Sequence, residues 1–248
     1  MDRMVSRRRV FGTVGLGAVV AACSGTAEPT TSATVPTTGG GSATVAPQTG
    51  ASGLAELFPG AASCALTPAE TEGPYYFDVD SIRGDIREDR AGVPLRLALR
   101  VGDASCAPMA NAVVDVWHCD AAGVYSGFES ASRGGSGGHS DDKKYLRGAQ
   151  VTNADGIVQF QTVYPGWYRG RTVHVHVKVH LDNRTLLTSQ LYFDEAVTER
   201  VSGQQPYAGH PGRDRFNKDD PIFDQSLVLT LRAEGAGYLG LMSVNVKA

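Results

Sequence analysis

Valine fills every second position from Val173 to Val179, with His174, His176 and Lys178 in the places between. A strand has a side-chain period of two, so this stretch predicts a strand with its valines on one face and both histidines on the other. A valine face needs a core to cover it. Burial accounts for the valines but not for two imidazoles side by side, with Tyr168 and Arg171 just upstream. Neutral imidazole is the commonest protein ligand for a transition metal, and an H-x-H pair on a strand offers two donors to one ion. The pair alone also suits solvated or hydrogen-bonded histidines, so the rest of the chain has to decide.

The surrounding pattern is that of strands and turns. Positions 95–101 and 113–117 read as strands. Positions 150–152 lead into Asn153-Ala154-Asp155-Gly156, whose Asp-Gly step predicts a hairpin with 157–163 as the return strand. Further strands are expected at 173–180, 186–193, 226–231 and 239–244. With no long amphipathic helix, this predicts an all-β fold, a β-sandwich of mainly antiparallel strands with long irregular loops. The Gly- and Ser-rich segment 127–144 is expected to be a mobile loop. The segment 195–224, with Pro206, Pro211 and Pro221, is expected to be irregular surface or a lid.

The first part of the chain reads as a targeting segment. Arg7, Arg8 and Arg9 precede an apolar run too short to span a membrane, and Arg8-Arg9-Val10-Phe11 matches a twin-arginine pattern. The run ends in Val20-Ala21-Ala22-Cys23, which looks like a bacterial lipobox. The expected organisation is a lipoprotein signal peptide over 1–23, a flexible Thr/Ala/Gly/Ser/Pro linker over 24–54, and one β-sandwich domain over 55–248. Cys23 would then anchor the exported protein to the outer side of the cytoplasmic membrane; cleavage without lipidation would secrete it. Net charge is −3, with no basic run outside the signal, which argues against a nucleic-acid partner. Cys64, Cys106 and Cys119 remain after the signal. Cys106 and Cys119 bracket the strand 113–117, so Cys64 is expected in any disulfide, its partner left open.

Several motifs follow in order: Thr71-Glu72-Gly73-Pro74-Tyr75-Tyr76, Gly123-Val124-Tyr125-Ser126-Gly127, Tyr164-Pro165-Gly166-Trp167-Tyr168, Arg171-Thr172-Val173-His174-Val175-His176 and Gln190-Leu191-Tyr192-Phe193. From Cys64 onward the chain resembles the intradiol ring-cleavage dioxygenases, and Trp117-His118-Cys119-Asp120 is similar to their exported, single-domain branch. The resemblance implies non-haem Fe(III) held by Tyr125, Tyr168, His174 and His176. It implies a small aromatic diol and O2 as substrates, with the bond between the two hydroxylated carbons cleaved to a cis,cis-muconate-type product. By the same resemblance Tyr168 is the axial ligand that leaves and takes up a diol proton. Arg171 and Gln190 are catalytic groups beside the substrate ring, and Pro74 and Tyr75 line its pocket.

Each residue also has a plain structural reading. Either tyrosine alone suits a core aromatic with its hydroxyl at the surface. His118 is expected behind the site or purely structural, His180 beyond reach of the metal, and His139 and His210 solvated. The main alternatives are a non-catalytic β-sandwich binding module and a zinc site built on the two histidines.

Overall fold

The structure, a computed structural model, describes residues 33–36, 42–45, 51, 53–58, 64–78, 81–134, 138–182 and 184–247. In chain order its strands are β1 (Ala33–Pro36), β2 (Ser42–Val45), β3 (Pro94–Gly102), β4 (Val113–Trp117), β5 (Arg147–Val151), β6 (Ile157–Val163), β7 (His174–Leu181), β8 (Arg184–Tyr192), β9 (Thr230–Glu234) and β10 (Gly237–Asn245). Helix α1 (Glu129–Ser132) precedes β5, and α2 (Glu195–Ser202) follows β8. Two four-stranded sheets, β6-β3-β10-β9 and β5-β4-β7-β8, form the expected sandwich. Within these sheets every pairing is antiparallel except that of β10 with β3.

Alternation decides which face of each strand is buried. Leu95, Leu97, Leu99 and Val101 of β3 join Val158 and Phe160 of β6 in one core with Val114 and Val116 of β4 and Val175, Val177 and Val179 of β7. Fully burying such a side chain contributes about 1.5–3 kcal/mol over leaving it exposed. A one-residue slip of β7 would expose its valines and drive both histidines into that core, so the valines set its register. The histidines therefore lie on the outer face of the second sheet.

Three expectations are corrected. β5 and β6 belong to different sheets, so 153–156 is not a hairpin. Asn153 Oδ1 accepts from the N–H groups of Asp155 and Ile157, and the turn carries the chain from one sheet to the other. The Asp-Gly signal found the turn but said nothing of what the flanking strands pair with. Positions 226–231 are not one strand: Gln225–Leu227 is a 3-10 turn, capped by Asp224 accepting from Ser226 N–H, and β9 begins only at Thr230. The segment 195–224 contains α2, whose N-cap Asp194 accepts from Val197 N–H at 3.1 Å. Within 127–144, Phe128 is buried and α1 follows it.

Within 1–54, β1 and β2 form an antiparallel pair. Ala51 and Leu54 pack with Phe58 on Ala98, Ile157, Leu239 and Leu241, the outer face of the first sheet. The leader, Cys23 and most of the linker lie outside the described residues. Among the described residues no helix is long and apolar enough to cross a membrane. Cys64 pairs with Cys106, their Cα atoms 5.3 Å apart, while Cys119 is buried and free.

Buried Tyr207 ties the α2 region to the residues just before β3 and just after β6. Its hydroxyl donates to Tyr164 O at 2.6 Å and accepts from Val93 N–H at 3.1 Å. Tyr207→Phe leaves a buried donor and acceptor unpaired, an expected loss of about 2 kcal/mol. A lowered urea midpoint at unchanged slope would register it.

Candidate metal centre

One row of side chains crosses the outer face of the second sheet. Arg147 of β5 is in register with Trp117 of β4, Trp117 with His176 of β7, and His176 with Gln190 of β8. Trp117 stacks on the His176 ring with centroids 4.8 Å apart and planes 5° from parallel. One step along, His174 faces Tyr192.

Three segments cover this row. The strap 64–78 runs along β8: Glu70 N–H donates to Thr188 O, Ser189 Oγ to Pro68 O, and Gln190 Nε2 to Thr71 O. Farther on, Gly73 lies against His176, where an added methyl would meet Cε1 at 3.3 Å. The turn after β4 carries Tyr125. The turn before β7 carries Tyr168 and Arg171, joined by Arg171 N–H donating to Tyr168 O.

The two turns interlock. Gly123 adopts φ +77°, and a Cβ there would lie 2.2 Å from Trp167 O; a Cβ on Gly166 would lie 2.5 Å from Ala121 O. Gly166 N–H donates to Asp120 O at 3.1 Å. Each tyrosine-bearing turn thus needs a residue without a side chain where the other crosses it.

The result is a convergence of four donor atoms. His174 Nε2 lies 3.1 Å from His176 Nε2, 3.2 Å from Tyr168 Oη and 3.5 Å from Tyr125 Oη. His174 Nδ1 is 2.6 Å from Thr172 O, a carbonyl that can only accept, so the proton sits on Nδ1 and Nε2 presents a bare lone pair. Both phenolic hydroxyls lie within reach of that lone pair, and the Tyr125 hydroxyl also donates to Tyr168 Oη. Buried His176 Nδ1 has no hydrogen-bond partner. If His176 carries its proton on Nε2, a further hydrogen crowds the lone pair of His174; if on Nδ1, a buried N–H goes unpaired. Burial, with the Arg171 charge nearby, pulls His174 down to about 3. Burial, then His174 and Arg171, holds His176 well below the ordinary histidine range. Burial likewise pushes both phenols above the ordinary tyrosine value. Two neutral imidazoles and two hard oxygen donors around one point suit a highly charged cation that displaces the phenolic protons. Among the described residues no cluster of three His, Cys, Asp or Glu is present, so the donor set lacks the composition usual for zinc.

Arg171 and Gln190 meet beside this point. Arg171 Nη2 donates to Gln190 Oε1 at 2.7 Å, and Arg171 Nε donates to Asp220 Oδ2 at 2.9 Å. Burial pushes the Asp220 carboxyl upward, but bonds from the N–H groups of Thr172 and Ile222 and from Arg171 outweigh it and hold the group ionised. The Tyr75 ring packs on Tyr125 at 4.7 Å and on Phe128 at 5.5 Å, walling one side. Pro74 is exposed beside it.

The other histidines are placed elsewhere. His118 is fully buried between Cys119 O at 2.8 Å and Thr162 Oγ1 at 2.7 Å, a structural role. His180 Nε2 meets Asp115 Oδ2 at 3.1 Å. His139 is exposed but sets its ring against Phe77, and His210 is only half exposed, stacked on Trp167 at 4.4 Å; neither is simply solvated as expected.

Asp220 and Arg147 were not foreseen. Asp220 is 49 positions from its partner in a polar segment, with no spacing signal to mark it. Arg147 is buried, donates to Ser126 Oγ and Ser126 O, and has its guanidinium 5.9 Å from the Tyr125 ring centroid. An arginine opening a strand otherwise free of charge was the available hint.

A family described as Dioxygenase matches residues 71–201. Chlorocatechol 1,2-dioxygenase of Rhodococcus opacus is 30% identical over 128 residues, covering 44% of this chain and 47% of the relative. Catechol 1,2-dioxygenase 1 of Acinetobacter lwoffii is 32% identical over 147 residues, covering 50% and 45%. The chain thus spans about half the length of the curated relatives it matches. Among solved structures, an intradiol ring-cleavage dioxygenase from Tetranychus urticae superposes with TM-score 0.70 at 32% identity, covering 74% of this chain and 95% of that one. The dioxygenase domain of a dioxygenase carbohydrate-binding protein fusion from Streptomyces sp. SirexAA-E gives TM-score 0.56 at 32% identity, covering 74% and 99%. The chain belongs to the intradiol ring-cleavage dioxygenase family.

Proposed function

We propose that this protein is a non-haem Fe(III) intradiol dioxygenase acting with O2 on catechol-type diols, with Tyr125, Tyr168, His174 and His176 as the iron ligands. The convergence of two phenolic oxygens on the two imidazole nitrogens carries this reading. Two phenolates offset most of the charge of a trivalent ion and favour it over a divalent one. When bound, Fe(III) supplies the Lewis acidity that holds the diol as its dianion and leaves the ring electron-rich toward O2.

The protein's own groups do the rest. Tyr168 is the less buried of the two phenols, and its Oη is the site that takes up a proton from the arriving diol. Arg171, held by Asp220 and Gln190, offers a fixed positive charge to the anionic ring oxygen as charge develops there. Tyr75 and Phe128 wall the site and exclude water, with Pro74 at its lip. Arg171 is committed to the reacting ring oxygen and does not also serve a substrate carboxylate, which favours an uncharged diol such as catechol over a carboxylated one such as protocatechuate.

The test is metal analysis of the purified protein with its visible spectrum, then oxygen uptake across catechol, hydroxyquinol and protocatechuate. Expected are bound iron, a red-brown tyrosinate charge-transfer band and muconate-type products. A colourless protein after iron loading, or extradiol products, would overturn the reading. The Arg8-Arg9 leader and Val20-Ala21-Ala22-Cys23 support export and anchoring through Cys23. Cys23→Ser is expected to release the protein from the membrane fraction, and unchanged partition would remove the anchor.

A further inference from the structure

We propose that Glu70 is a positioning residue that acts through Tyr192 on the Gln190–Arg171 pair, and that the protonation state of Glu70, by turning the Tyr192 hydroxyl, sets how that pair is held. This rests on the reading of Arg171 and Gln190 as groups beside the substrate.

The geometry is a short relay. Tyr192 Oη lies 2.6 Å from Glu70 Oε2, 3.1 Å from Ile222 O and 3.4 Å from Gln190 Oε1. A hydroxyl has one proton for these three acceptors. When Glu70 is ionised, the shortest contact takes it, and Gln190 Oε1 is left to Arg171 at 2.7 Å. When Glu70 is protonated, its own O–H faces Tyr192 Oη. The Tyr192 proton must then turn to Ile222 O or to Gln190 Oε1, and in the second case it competes with Arg171 for the same oxygen. The strap holds Glu70 in place, since Glu70 N–H donates to Thr188 O and the next residue, Thr71, accepts from Gln190 Nε2.

The charged groups facing Glu70 come from every element around it. Burial raises the carboxyl most. The Tyr192 hydrogen bond from β8 and the Arg171 charge lower it, Asp224 and Asp220 raise it again, and the net effect pushes it up to about 7. A carboxyl in that range changes charge near neutral pH.

The test uses the full chain and two variants. Carbon-13 NMR of glutamate carboxyls, with and without gallium(III) as a diamagnetic substitute for iron, is expected to show one group titrating near about 7. That signal should vanish in Glu70→Gln. In Tyr192→Phe its midpoint should rise, because the bond that favours the carboxylate is gone. In the iron-loaded enzyme kcat with catechol should fall roughly three- to tenfold below the same midpoint, the size of one modest hydrogen bond. In Glu70→Gln kcat should be flat across that range with KM unchanged. The NMR titration is readable whether or not the chain cleaves diols, so it separates this inference from the proposed activity. Every glutamate titrating in the ordinary carboxylate range, or a kcat step that survives in Glu70→Gln, would overturn it.

Discussion

Replacing His174 by alanine is expected to give a folded, colourless protein that retains no iron and consumes O2 with catechol at least about a hundredfold more slowly than the parent chain. His174 is chosen because its Nε2 lies within 3.5 Å of each of the other three proposed ligand atoms. The fold should survive. The valines on the opposite face of β7 keep their core, and the lost bond to Thr172 O contributes about 1 kcal/mol. His180→Ala is the control on the same face. Its imidazole is held by Asp115, and the variant should keep its iron and its rate within about twofold. Dialysed metal content, the visible spectrum and an oxygen electrode give the answer. A coloured His174→Ala protein turning over at the parental rate would remove His174 from the site.

The second large effect is expected at a residue with no functional side chain. Gly123→Ala should cost about 2–5 kcal/mol and weaken iron retention together. A left-handed backbone costs an ordinary residue about 1–2 kcal/mol. Forcing a methyl carbon to within 2.2 Å of Trp167 O adds an overpacking penalty of about 1–3 kcal/mol. Relief requires the two tyrosine turns to separate, which pulls the Tyr125 and Tyr168 hydroxyls apart. Gly170→Ala is the comparison: φ is +83° there, but an added methyl meets nothing within 4 Å. The difference between the two variants in urea midpoint isolates the close approach from the backbone strain. Equal midpoints, or a Gly123→Ala protein with parental colour, would show that the contact between the turns does not set the site.

Much of the architecture could be read from side-chain alternation. The valines of β7, the leucines of β3 and the apolar positions of β6 report which face is buried because a strand has only two faces. Alternation carries no information about partners, and that is where the reading failed. The 153–156 turn joins strands of different sheets, and the pairing of β10 with β3 is parallel. The shift of β9 to Thr230 was missed because Leu227 and Leu229 are apolar and buried in a segment that begins as a 3-10 turn. The site divides in the same way. Tyr125, Tyr168, His174, His176, Arg171 and Gln190 all fall within short motifs and meet in space. Asp220, Arg147 and the Glu70–Tyr192 contact depend on segments folding back from far along the chain, and no local spacing marks them.

The parallel pairing of β10 with β3 governs how the chain can be assembled. β10 sits in the middle of its sheet, between β3 and β9, yet it arrives about 140 residues after the strand it joins. Closing so long a loop costs entropy before the contact returns anything. While synthesis is under way, the edge of β3 that β10 will take carries unpaired N–H and C=O groups, open to chaperones or to pairing with other nascent chains. Cutting away the final strand would not shorten this protein at an edge; it would split one of its two layers down the centre.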